Sequence, residues 1–376
     1  MIPYLVNLRV FSMFGGMLAH CLLFLVPASF YPWLVKNFTP APWASVLVLY
    51  IYWIQTPVFF SLAGYFGKYL HKKLGTWKFL QERFARIGLP FLFGMLLPIP
   101  IYLIYAIGLY SNDNAMLVKF FLNRVIFTGI FWFLYYLLLF YLMMALGLSA
   151  ILDYLAKKMT RLLVKSSSFV LFLLILLPSS FLFIIMLVAQ VAVIMPSLSL
   201  IPHWDLLYYF LFFCCGWIGY KNPVVLRLVT ANNCWLLFFA TAIIFPVLSF
   251  LALKVWPYHQ ILWLRIVIDI LEAVNAIFML LGVYSVFFRY LNSCHSWFVF
   301  SGKASYWCYY MQYPVIVAIQ SYLLPISLPP SLKVLYVFIG TMGILLLSYG
   351  VWRAMGRIIL IQKRKGVLSY PLLERN

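Results

Sequence analysis

Residues 7–27 read NLRVFSMFGGMLAHCLLFLVP. Apart from Asn7, Ser12, Arg9 at one end and His20 near the middle, the stretch is apolar or glycine. A bilayer core of about 30 Å takes around 20 apolar residues per helical span, so this is a membrane helix. A removable signal peptide would carry a basic segment ahead of its apolar run; here Arg9 lies at the start and nothing basic precedes it, so the run is expected to be retained. Working outward, similar runs recur along the 376 residues, at roughly 43–69, 87–109, 125–150, 168–194, 205–220, 234–254, 263–288, 304–325 and 333–361. That makes ten spans. Long apolar segments with internal Pro and Gly suit membrane helices, whereas a transmembrane barrel would show shorter alternating segments.

The composition agrees: 66% of residues are hydrophobic, 20% aromatic and 9% charged. A soluble domain carries about 25% charged residues, so a water-soluble globular protein is excluded. The net charge of +20 does not indicate nucleic-acid binding, because the basic residues fall between apolar runs rather than on a soluble face. They orient the chain instead. With a cytoplasmic N-terminus, 21 of the 27 Lys and Arg lie on the cytoplasmic side and six on the other. The expected fold is an all-α polytopic bundle of about ten transmembrane helices, both termini cytoplasmic. The connections at 71–86, 110–124 and 153–167 are too short to fold alone, so residues 1–376 are expected to form one transmembrane domain with no soluble domain. The six cysteines and five histidines have no metal-ligand spacing, and no metal is expected.

In so apolar a chain the informative residues are polar ones inside spans. Arg9 and His20 are eleven residues apart, about three helical turns, on one face and roughly 16 Å apart. That places Arg9 at the cytoplasmic boundary and His20 near the midplane. A buried neutral imidazole can accept a proton from a hydroxyl; equally, it can make one interhelical hydrogen bond while Arg9 snorkels. The basic segment 68–91, KYLHKKLGTWKFLQERFARIGLPF, puts Arg83 and Arg86 three apart, on one face of a regular helix. Paired guanidinium forks suit phosphate oxygens, although a positive-inside anchor would also explain them. In LRIVIDILEAVN, Arg265 can neutralise Asp269, leaving Glu272 as a membrane carboxylate in need of a partner. The segments GIFWFLYYLLLFY (129–141) and ASYWCYYMQYP (304–314) are rich in Trp and Tyr, either as interfacial belts or as the lining of a sugar or acyl cavity.

Taken together, these segments resemble the membrane acyltransferase-3 family, and within it the branch of glucan-modifying succinyltransferases. The resemblance rests on the Arg9–His20 pair in the first helix and on Arg83-Phe-Ala-Arg86 entering the third. Trp132–Tyr136 (Trp-Phe-Leu-x-Tyr) and Ser305–Trp307 also fit, in the same order along the chain. It implies an O-acyltransferase that moves an acetyl or succinyl group from cytoplasmic acyl-CoA to a hydroxyl of a cell-envelope carbohydrate, in a bacterial inner membrane. His20 would be the general base, Arg9 would help place the donor, and Arg83 and Arg86 would hold CoA phosphates. Trp132, Tyr136, Tyr306, Gln312 and Glu272 are further substrate-binding candidates. Gln312 stands where relatives often carry a His, and Ile130 and Phe131 where they often carry a His or polar residue. The expected partners are the bilayer and a glycan acceptor, reached directly or through an extracytoplasmic protein, with a homo-oligomer left open. The competing readings are a transporter or flippase of a lipid-linked or small polar substrate, which would use Asp269 and Glu272, and a non-catalytic scaffold.

Overall fold

The computed structural model describes residues 2–96 apart from 28–32, 34 and 38, residues 131–189 apart from 166, residues 204–222, isolated turns between 225 and 244, and residues 262–368 apart from 294. Every described element is helical: α1 (Pro3–Leu22), α2 (Pro42–Leu74), α3 (Thr76–Arg83), α4 (Leu89–Leu96), α5 (Trp132–Met143), α6 (Ser149–Lys165), α7 (Ser167–Ala189), α8 (Trp204–Gly219), α9 (Leu262–Tyr290), α10 (Ser296–Leu323) and α11 (Pro330–Leu368). Among the described residues, five stretches are long and apolar enough to cross a membrane: α1, α2, residues Trp132–Lys158, α9, and α11 as far as Met355. Residues 97–109 of the expected third span lie outside the described residues, as do 125–130 of the fourth, 190–194 of the fifth and 245–254 of the seventh.

The chain divides into two compact units. One contains Met1–Gly16 and Val46–Cys294; the other contains Met17–Ser45 and His295–Asn376.

In the first unit, α2 and α8 approach backbone to backbone. A Cβ added at Gly64 would collide with the Phe213 carbonyl, and one added at Gly216 with the Ser61 carbonyl. Without a hydrophobic driving force in lipid, small residues let helices gain this contact. Around the crossing lies an aromatic core in which Phe60 packs on Trp132, Phe133, Phe140 and Tyr209 at centroid distances of 4.6–6.0 Å. The Trp- and Tyr-rich segment of α5 therefore serves packing. Tyr136, fully buried, donates its hydroxyl to Asp205 Oδ2 at 2.6 Å. Tyr136→Phe should remove this bond and leave a buried acceptor short of a donor, lowering stability by about 1–3 kcal/mol. Thermal unfolding of the solubilised protein checks this; an unchanged midpoint would mean that the hydroxyl contributes nothing.

Two irregular turns break the regular helices of this unit. Phe84–Gly88 forms a π-turn just ahead of Pro90, whose missing N–H deprives a carbonyl one turn back of its partner. Between α5 and α6 the chain bends at Gly147, whose φ of +118° is open chiefly to glycine.

In the second unit, α10 and α11 form a hairpin joined by a short loop, and Trp307 donates to Ser348 Oγ at 3.0 Å while stacking on Trp352. Two lysines cap helix ends, where the last carbonyls have no intrahelical partner. Lys36 donates to the carbonyls of Leu23 and Val26, at 3.1 and 2.7 Å. Lys333 donates to Leu324 O at the end of α10 and to Asn37 Oδ1, both at 3.2 Å.

Burial pushes the Lys36 ammonium down from 10.5 to about 8. Between pH 8 and 10.5 the unfolded chain then keeps a proton that the folded chain has shed, so folding stability contributed by Lys36 rises with pH across that window. The midpoint difference between wild type and Lys36→Met should accordingly grow from pH 8 to pH 10. A difference that shrinks would show that the carbonyl contacts outweigh burial.

Candidate functional site

His20 lies in the part of α1 that belongs to the second unit and is 6% exposed. After α1 the backbone folds back on the helix end, with Asn37 N donating to Phe24 O and Ala41 N to Leu25 O, each at 2.9 Å. This return lays the Trp33 indole on the imidazole, with ring centroids 5.7 Å apart and planes 20° from parallel. Trp33 is held in turn by an indole N–H bond to Gln320 Oε1 at 2.8 Å and by edge contact with Tyr313. Gln320 closes the arrangement by donating to Cys21 O at 3.3 Å.

The Gln312 side chain lies close enough to the imidazole to polarise it, and Nδ1 has no hydrogen-bond partner among the described residues. An amide beside an imidazole can hold one tautomer and leave the opposite ring nitrogen basic, a role that needs no titratable group. Trp33 and Gln320 escaped the sequence reading because a loop tryptophan after a span looks like any interfacial aromatic.

The other candidates divide between the two units. Arg9 is half-buried on the first-unit part of α1. Arg83 and Arg86 do come together, though on one carboxylate. Arg83 Nη2 and Nε each lie 2.6 Å from Glu82 Oε2, and Arg86 Nε lies 2.7 Å from Glu82 Oε1. The π-turn that begins between them breaks the regular three-residue spacing expected from sequence. The Arg83 side chain is 11% exposed and lies over the Tyr141 ring, whereas that of Arg86 is 67% exposed. Arg86 is therefore the one of the pair that presents most surface to a ligand.

Trp132 and Tyr136 sit in the aromatic core described above, and Tyr306 is exposed. Glu272 is 1% exposed and its Oε1 has no partner among the described residues; Asp269 and Asn275 are similarly unsatisfied. Arg265 Nε forms an ion pair with Asp269 Oδ2 at 3.7 Å, longer than a hydrogen bond, and Arg265 Nη2 also donates to Leu187 O. Among the described residues no group of three or more His, Cys, Asp or Glu could hold a metal ion.

Helices of bilayer length together with a buried, oriented histidine define a multi-pass membrane protein with polar chemistry inside its helices. A family model described as an acyltransferase domain, that of the acyltransferase-3 family, matches residues 2–353. The chain belongs to this family, and acyl transfer is the chemistry that membership assigns to it. No curated protein and no solved structure matches the chain.

Proposed function

We propose that the protein is an integral-membrane O-acyltransferase of a bacterial inner membrane, taking an acetyl or succinyl group from cytoplasmic acyl-CoA and placing it on a hydroxyl of an envelope glycan. The reading extends to the glucan succinyltransferase-like branch and to ten spans with both termini cytoplasmic. The observation that carries it is His20: buried, stacked on Trp33, with an Nδ1 that has no hydrogen-bond partner among the described residues, on the helix that also bears Arg9 in a chain of acyltransferase sequence. In the reaction, His20 Nδ1 removes the acceptor's hydroxyl proton as that oxygen attacks the thioester carbonyl. The C–S bond breaks, the ester forms, and the proton passes to the departing CoA thiolate. Arg86, with Arg83 behind it, holds donor phosphates, and Arg9 places the donor at the inner face. Trp33 keeps the imidazole plane fixed and acts as a positioning residue.

A transporter is the second reading, favoured by the unsatisfied Asp269, Glu272 and Asn275 inside α9. One experiment separates them. Purified protein is supplied with acetyl-CoA or succinyl-CoA and envelope glycan, and free CoA and acylated glycan are measured. Glycan-dependent CoA release supports acyl transfer; none with either donor would sink it. The topology has its own check, since a reporter fused to the C-terminus should be active only as a cytoplasmic fusion. An extracytoplasmic signal would displace Arg83 and Arg86 from the donor side.

A further inference from the structure

The first unit contains a cavity of about 990 Å³ that includes none of the residues assigned above to acyl transfer. It is built from the start of α1, from α2, and from α6 to α9, and its wall is overwhelmingly apolar. Two of its few polar side chains, Ser61 and Tyr284, bond to each other at 3.0 Å and so offer little to a polar ligand. The charges on its lining are both positive: Lys158 from α6 and Lys221 just after α8. Both are exposed, and neither forms an ion pair with a described residue.

Helix α6 adds to this charge. It carries Lys157, Lys158, Arg161 and Lys165 against a single acid, Asp153, and Lys68 already pairs with that acid. Its exposed apolar residues include Ile151, Tyr154 and Leu155. The stretch long enough to cross the membrane ends at Lys158, and uncompensated basic residues at the end of a span attract anionic lipid.

We infer that this cavity is a binding site for an anionic glycerophospholipid of the leaflet flanked by α6, with its acyl chains against the apolar wall and its phosphate head between Lys158 and Lys221. The volume lies at the upper end of the range for ligand pockets. The wall lacks the polar set that an adenine or ribose would need, so the charge pattern matches a lipid head and chains rather than a nucleotide-bearing donor. The site is independent of His20 and stands whether or not His20 performs acyl transfer.

The test uses the full chain purified in mild detergent. Native mass spectrometry and thermal unfolding compare phosphatidylglycerol with phosphatidylcholine of identical chains. The expected result is one tightly retained phosphatidylglycerol, preferred at least about tenfold, since two juxtamembrane lysines favour an anionic head over a zwitterionic one. Lys158→Gln combined with Lys221→Asn should abolish that preference while leaving the protein folded, because both side chains are exposed and Asn accepts the positive φ of 53° found at Lys221. Equal retention of the two lipids would overturn the inference, and so would a preference that survives the double substitution. Stoichiometric displacement of the lipid by acyl-CoA would reassign the cavity to the donor.

Discussion

His20→Ala is expected to reduce acyl transfer by a factor of about 10²–10⁴, the usual contribution of a positioned general base, while the protein still inserts and folds. The imidazole stacks on Trp33 and lies beside the uncharged Gln312, so its loss leaves a small cavity rather than an unpaired charge. Glycan acylation by the variant and its yield in the membrane fraction measure the two halves of the expectation. Gln312→Ala supplies the complementary result. It frees the imidazole to adopt either tautomer, so turnover should fall less than in His20→Ala. Full activity in His20→Ala would remove the residue from the chemistry, and full activity in Gln312→Ala would remove the tautomer argument.

The second large effect is expected at the donor side. Arg83 and Arg86 converge on Glu82, leaving one net positive charge on the three groups and most of the accessible guanidinium on Arg86. Truncating a charged contact at a desolvated site costs a few kcal/mol, whereas losing a rim charge changes much less. Arg83→Ala with Arg86→Ala should therefore weaken CoA binding more than tenfold at low salt, and the part of the loss that survives high salt should come from the buried Arg83 rather than the exposed Arg86. Lys72→Gln with Lys73→Gln should cost a fewfold at low salt and nothing at high salt, where exposed charges are screened. Glu82→Gln should tighten CoA binding, because it removes the carboxylate that competes with phosphate for both forks. Equal, salt-abolished effects from the two basic pairs would reduce Arg83 and Arg86 to generic loop charge.

What could be read from sequence follows from how polar groups stand out in apolar runs. Arg9 and His20 are conspicuous because little near them is polar, and α1, α2, α9 and α11 follow from length and hydropathy alone. The partners of those residues are hidden for the opposite reason. Trp33 comes to His20 through a chain reversal after α1 and is held there by Gln320 of α10, a meeting that no periodicity encodes. Asp205 and Asp153 belong to no sequence motif; one accepts the Tyr136 hydroxyl and the other pairs with Lys68. Regular helical spacing placed Arg83 and Arg86 on a common face but could not foresee the π-turn or the shared Glu82. The aromatic run of α5 was legible as aromatic; that Trp132 and Tyr136 pack a core instead of lining an open cavity depends on neighbours from α2 and α8.

The contact of Gly64 with α8 also sets an order of events during synthesis. Helix α2 leaves the ribosome long before α8, and no side chain can stand in for the backbone of Phe213 against Gly64. Until α8 arrives, the glycine face of α2 must wait in the bilayer against lipid or an insertion factor, a delay inherent in contacts that are distant in sequence. A nascent chain arrested before Trp204 would therefore be a substrate for membrane quality control however well its earlier helices had inserted.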